Sequence, residues 1–329
     1  MTPRAAAATV LVACALLRLG ACASRDRVSS HEGFIRLVGA DRDRLYYRVM
    51  GVGSDTVIVL HGGPGLHSRY LEEAFAALAT DHVVIVYDQR GRGRSDFPAD
   101  SLRLSAATDI ADLEAVRAFF HMDRLTLIGH GWGAGLGALY AIQHPERVSR
   151  LLLVSPMVPR AQYLWNLTFQ RAAGTDTTGL NGLSAARLAG QDRSEPRGFC
   201  RRYWGALLSP TVVRDRAVIR RLSAPMCDAP AAALERIELI NRRVLGSLGA
   251  WDWAAQLGSL HVPVLVIQGE EPHADERDEG WTWVAAAQDW VAHLPNARLV
   301  FVGTVPQFPW LEARRPFIVA VRQFLDQPT

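Results

Sequence analysis

The chain has 329 residues, 49% apolar and 21% charged, with a formal net charge of +3. That material suffices for one large globular core with an added cap, and the near-neutral balance implies no polyanionic partner, nucleic acid included. All 36 basic residues are arginine, so catalysis by a lysine Schiff base or a Ser-Lys pair is excluded.

The first residues read as an export signal. Arg4 supplies a short basic region, and residues 5–17 form an apolar run of signal-peptide length. That run is too short to span a bilayer comfortably. Leu19-Gly20-Ala21-Cys22 has the form of a bacterial lipobox, which makes Cys22 the lipidated first residue of an envelope protein on the periplasmic or extracellular face. Arg18 is an awkward neighbour for it. An earlier match at Cys14 leaves a very short signal, and a plain secretory signal is the simpler alternative. Residues 1–22 are assigned to the signal and 23–32 to a polar tether.

From residue 33 strands and helices alternate. Strands are predicted at 34–38 and 45–49 around a turn at 40–43, then at 56–60, running into His61-Gly62-Gly63-Pro64-Gly65. A helix near 69–79 precedes a strand at 83–87, which ends in Asp88-Gln89-Arg90-Gly91-Arg92-Gly93-Arg94-Ser95. Ala107, Ile110, Leu113, Val116 and Phe120 share one face of a helix at 105–121. A strand at 125–128 runs into Gly129-His130-Gly131-Trp132-Gly133, followed by a helix at 133–143 and a strand at 151–154. The rhythm then lapses: residues 157–250 are arginine-rich and read as helices and loops. It resumes with a strand at 262–267, a helix at 280–293, a strand at 298–302 and a helix at 312–325. This order implies an α/β fold with a mostly parallel sheet and helices on both faces. The core is assigned to 33–156 and 251–329, with a helical lid, 157–250, inserted after the sixth strand.

Cys200 and Cys227 fall in that insertion. In an exported protein they either pair or remain two buried thiols, and spacing leaves both open. A pair would contribute roughly 3 kcal/mol through loop closure.

HGGPG at 61–65, DQRGRGRS at 88–95, GHGWG at 129–133 and VPVLVIQG at 262–269 occur in one order. Together they resemble the proline iminopeptidase-like branch of the α/β-hydrolase superfamily, over about residues 33–326. The resemblance implies an α/β-hydrolase fold and a Ser-His-Asp triad with the serine on a strained strand-to-helix elbow. Here the serine position is Gly131, and no other G-x-S-x-G occurs. Ser95 and Ser155 follow other strands and are not on an elbow. The histidine position is Gln307, and no histidine follows His293. The acid position falls near Pro272, where Glu270, Glu271 or Asp275 could substitute by a loop shift. The resemblance leaves the oxyanion hole and pocket, at Gly62, Gly63 and Trp132, and makes His61 a structural part of its loop.

Loss of all three triad positions points to a catalytically degenerate, non-enzymatic protein whose pocket binds a small apolar or peptide-like ligand or a protein partner. The alternative is an active, serine-independent aminopeptidase- or esterase-like hydrolase, with His130 or His273 acting beside Glu271 or Asp275. An ordinary proline iminopeptidase is what the family likeness alone suggests. The histidines lack metal-ligand spacing and the glycine-rich stretches form no nucleotide fingerprint, so no metal or cofactor is expected. In the insertion, Arg197, Arg201, Arg202, Arg214, Arg216, Arg220, Arg221, Arg242 and Arg243 make a basic surface, either merely solvated or facing anionic headgroups. The resemblance implies acidic lid residues that grip a substrate amine; Glu195, Glu235 and Glu238 are candidates by location. Asn166-Leu167-Thr168 matches a glycosylation acceptor but is set aside in a bacterial lipoprotein.

Overall fold

A computed structural model describes residues 30–38, 42–164, 177–208, 215–270 and 282–327 of the chain. One eight-stranded sheet runs through it, in the order β1-β2-β4-β3-β5-β6-β7-β8. The strands are β1 (Ser30–Arg36), β2 (Arg44–Met50), β3 (Thr56–Leu60), β4 (Val83–Tyr87), β5 (Leu125–His130), β6 (Val148–Val154), β7 (Val264–Gln268) and β8 (Ala297–Phe301). β1 and β2 pair antiparallel, as do β2 and β4; every other pairing is parallel.

The central strands are runs of valine, leucine and isoleucine because both faces of the sheet are covered. Successive side chains alternate between two cores. Ile58 and Leu60 meet α2 (Ala106–Phe119) and α3 (Trp132–Gln143) through Leu113, Val116 and Leu136. Val57 and Val59 meet α1 (Arg69–Phe75) on the other face, with Leu71, Phe75 and Phe317. Ser105 starts α2 by accepting the Thr108 N–H.

Between β6 and β7 lies a helical block: α4 (Thr177–Leu188), α5 (Pro196–Leu208), α6 (Arg216–Met226) and α7 (Ala231–Ser247). Its two ends leave the sheet side by side. The Ala161 N–H donates to the Trp251 carbonyl (2.8 Å) and the Trp253 N–H to the Pro159 carbonyl (3.1 Å). Cys200 on α5 is disulfide-bonded to Cys227, just beyond α6, with 5.8 Å between their Cα atoms. Beyond β7, α8 (Trp283–His293) and α9 (Arg314–Leu325) complete the two faces. Among the described residues no helix is long and apolar enough to cross a membrane.

The fold is of the expected class, with local corrections. Ser30–Glu32, assigned above to the tether, belong to β1 and pair with Arg48–Met50. An edge strand needs one neighbour and little burial, so its sequence, SHEGFIR, carries no apolar run. The helix expected over 69–79 is α-helical only to Phe75 and tightens into 3-10 turns over Ala76–Thr80. Thr282 caps α8, which therefore starts at Trp283 rather than at 280.

Candidate functional site

The turn from β5 into α3 is a tight elbow with Gly131 at its apex, at φ 55° and ψ −114°. Side chains with a Cβ adopt this region only under strain, whereas glycine enters it freely. The Gly131 N–H donates to the Val154 carbonyl (3.1 Å), and the Gly131 carbonyl accepts the Met157 N–H (3.2 Å). Gly133, two residues on, lies against the Leu60 carbonyl, where a Cβ would collide. At the apex there is room: a Cβ on Gly131 would find only the Gly62 Cα, at 3.8 Å. The elbow is intact and the space for a side chain is open, but no attacking atom stands there.

The neighbouring loops are held by their own polar residues. His61 Nε2 accepts the Gln89 N–H (3.0 Å), and Nδ1 donates to the Gly62 carbonyl (3.1 Å). Gln89 donates to the His61 carbonyl (2.9 Å) and accepts the Trp132 indole N–H (3.0 Å), tying loop to elbow. Burial keeps His61 neutral, with its pKa lowered to about 3. Arg92 is paired with Asp109 and also donates to the Pro64 carbonyl; Arg90 holds Asp112 and Asp43. Ser95 donates to the Asp88 carbonyl and accepts the Tyr46 N–H (2.9 Å). The DQRGRGRS residues are therefore scaffold, including the serine.

His130 lies at the centre of a linear chain of hydrogen bonds. The Gly62 N–H donates to Tyr70 Oη (3.0 Å), the Tyr70 hydroxyl to His130 Nδ1 (2.5 Å), and His130 Nε2–H to the Gln307 carbonyl (2.7 Å). The carbonyl can only accept, so Nε2 carries the proton and Nδ1 holds the one lone pair, already in use. Phe308 and Trp310 pack against the ring at centroid distances of 5.3 and 5.1 Å. Burial lowers the His130 pKa to about 4. Both ring nitrogens are thus committed, Nε2 to the Gln307 loop and Nδ1 to Tyr70. That loop is also pinned at Pro306, whose carbonyl accepts from Ser155 Oγ (2.8 Å) and Gln268 Nε2 (2.6 Å).

Above the elbow, between the sheet ends and the helical block, is a cavity of about 220 Å³. Gly63, Gly131, Trp132 and Gln307 form its floor; Tyr203, Trp204, Leu208, Met226 and Ile237 contribute walls. Neither the Gly63 nor the Trp132 backbone N–H has an acceptor among the described residues. Asn241 on α7 also lines the cavity, its Oδ1 occupied by the Gly65 N–H (2.7 Å). Glu195, Glu235 and Glu238 do not line it; all three are exposed. The stripe of α7 facing the cavity is Ile237, Asn241 and Leu245, so Glu235 and Glu238 point away. Glu270 is exposed, with its backbone N–H on the Gly303 carbonyl. Cys22, Asn166, Thr168, Arg214, Glu271, Pro272, His273 and Asp275 lie outside the described residues. Among the described residues no group of three His, Cys, Asp or Glu side chains could hold a metal.

Tyr70, Trp204 and Asn241 carry parts of this site and are not singled out by the sequence. Each is one polar or aromatic residue on an otherwise ordinary helix, and only the tertiary fold brings it to the elbow.

The sequence pattern of the alpha/beta hydrolase fold matches residues 55–311. The chain belongs to the α/β-hydrolase fold family. Within it, the chain is similar to proline iminopeptidases. One from Levilactobacillus brevis is 29% identical over 243 residues, covering 68% of this chain and 76% of that one. One from Lacticaseibacillus rhamnosus is 26% identical over 297 residues, covering 86% and 94%. The crystal structure of proline iminopeptidase from Mycobacterium smegmatis superposes with a TM-score of 0.61 at 24% identity, covering 90% of this α/β-hydrolase and 97% of the other. This last likeness is one of fold.

Proposed function

We propose that this protein of the proline iminopeptidase-like branch binds a ligand above its elbow and does not turn it over by acyl transfer. One observation carries the proposal: the apex is Gly131, and His130, the histidine beside it, has both ring nitrogens bonded. A hydroxyl nucleophile needs a base to take its proton, and both parts are missing at the described elbow. Gln307 lines the floor where the family likeness calls for the histidine, and an amide accepts no proton usefully near neutral pH. The N–H pair of Gly63 and Trp132 survives because it is backbone, and with binding alone it would leave at most about 10³–10⁴-fold catalysis over water.

The alternative with His130 as displaced base is disfavoured by the Tyr70 hydroxyl on its only lone pair. A base at His273 beside Glu271 or Asp275 would make the protein a rewired hydrolase instead. Treating the purified protein with a serine-reactive fluorophosphonate tests for a serine nucleophile, and scanning acyl ligands by thermal shift tests for binding. Assaying ester hydrolysis separates a rewired, serine-independent hydrolase. We expect no covalent adduct and a saturable thermal shift. An adduct mapped to any serine beside the cavity would reject the non-catalytic proposal.

Export and lipid anchoring through Cys22 belong to the same proposal. The Cys200–Cys227 bond supports it, because such bonds persist in oxidising compartments outside the cytosol. Metabolic labelling with a radioactive fatty acid should mark the wild type and not Cys22→Ser; equal labelling would remove the anchor.

A further inference from the structure

Several unpaired hydrogen-bond donors line the cavity above the elbow. Its floor offers two backbone donors without acceptors among the described residues, from Gly63 and Trp132. Its wall includes Trp204, only 5% exposed, whose indole Nε1–H has no partner among the described residues; Trp204 also lines a neighbouring cavity. An orphaned donor at that depth is costly and uncommon in a folded protein. Asn241 adds to them. Its oxygen already accepts the Gly65 N–H, and its NH₂ group is a further donor. Floor and wall therefore present donors. The floor also lies at the start of α3, twelve residues long, where the helix dipole is positive.

Charge points the same way. Among the described residues lining the cavity there is no Asp or Glu, and Glu195, Glu235 and Glu238 are exposed elsewhere. An ammonium group brought here would be buried without a counter-charge, among donors that repel it. Ser155, Tyr203 and Gln307 add polar groups, and the remaining walls are apolar.

Resting on the proposal that the site binds without turnover, we infer that its ligand is an apolar monocarboxylate and that amines are rejected. One carboxylate oxygen takes the Gly63 and Trp132 N–H groups. The other uses the space that Gly131 leaves open, where a serine side chain would otherwise stand. The tail lies among Leu208, Met226 and Ile237. A cavity of about 220 Å³ suits a small apolar acid, and hexanoate serves as the probe.

Isothermal titration of the intact, purified protein with hexanoate, hexanol and hexylamine, at equal ionic strength, tests this. Hexanoate should bind at one site, about tenfold or more tighter than hexanol, and hexylamine should not bind measurably. Asn241→Asp keeps an acceptor for the Gly65 N–H and adds one negative charge. It should weaken hexanoate by about tenfold or more and admit hexylamine. Trp204→Phe should weaken hexanoate about fivefold by removing one donor. Hexylamine binding as tightly as hexanoate, or no hexanoate binding, would overturn the inference, as would an Asn241→Asp protein with unchanged preference. If either variant fails to fold, the wild-type ranking alone decides. Hydrolysis of hexanoate esters by the wild type would instead defeat the non-catalytic proposal, while the acid-over-amine ranking still stands or falls by titration.

Discussion

Replacing Gly131 by serine restores the family's elbow residue, yet the structure predicts a less stable and still inactive protein. The backbone at this position, φ 55° and ψ −114°, is one that residues with a Cβ enter at about 1–3 kcal/mol. No steric term adds to that, because the nearest atom to a new Cβ is the Gly62 Cα at 3.8 Å. The whole cost is therefore backbone strain, and the melting temperature should fall by roughly 2–4 °C per kcal/mol. Gly131→Ala should fall by a similar amount, which separates strain from any effect of the hydroxyl. Activity should stay near background, since the lone pair of His130 Nδ1 is taken by Tyr70 and its pKa is lowered to about 4. Gln307→His together with an acid near Pro272 is needed to complete a triad. Calorimetry of the two variants, with aryl-ester hydrolysis by the serine variant, is the assay. A serine variant as stable as the wild type, or one that hydrolyses esters at enzyme-like speed, would refute the reasoning.

Acid should destabilise the fold between about pH 6.5 and 4. His61 and His130 have folded pKa values lowered to about 3 and about 4, so the unfolded chain binds more protons there and stability falls as pH falls. Burial raises Asp112 to about 6 and raises Asp109 as well, which works in the opposite direction, so the loss between pH 7 and pH 5, measurable by urea denaturation, is smaller than the two histidines alone would give. Reducing the Cys200–Cys227 bond should cost about 3.5 kcal/mol for its separation of 27 residues; unchanged denaturation on reduction would remove that contribution. Arg92→Met should cost about 3–5 kcal/mol, because it leaves Asp109 buried and unpaired. Tyr70→Phe should cost about 1–3 kcal/mol by orphaning the Gly62 N–H and His130 Nδ1, read by the same denaturation.

What the sequence disclosed follows from how far each signal reaches. β3 and β4 match their expected bounds because strands buried on both faces are written as unbroken apolar runs. β1 begins four residues before its expected start, since an edge strand is defined by its neighbour and not by its own composition. Gly131 and Gln307 were legible because each sits inside a local motif. The chain from Gly62 through Tyr70 and His130 to Gln307 was not, because its members are up to 177 residues apart in pairwise contact. Helical periodicity marks α7 as amphipathic but cannot say that Asn241, and not Glu238, faces the elbow. The pairing of Cys200 with Cys227 likewise depends on how α5 and α6 pack.

The central claim is that the elbow lacks both an attacking atom and a free proton acceptor. Steady-state hydrolysis of an aryl ester and a prolyl amide by the purified wild type measures it most directly. The account predicts rates at most about 10³–10⁴-fold above the uncatalysed reaction. A kcat/KM of about 10⁴ M⁻¹s⁻¹ or more, within the ordinary enzyme range, would contradict it.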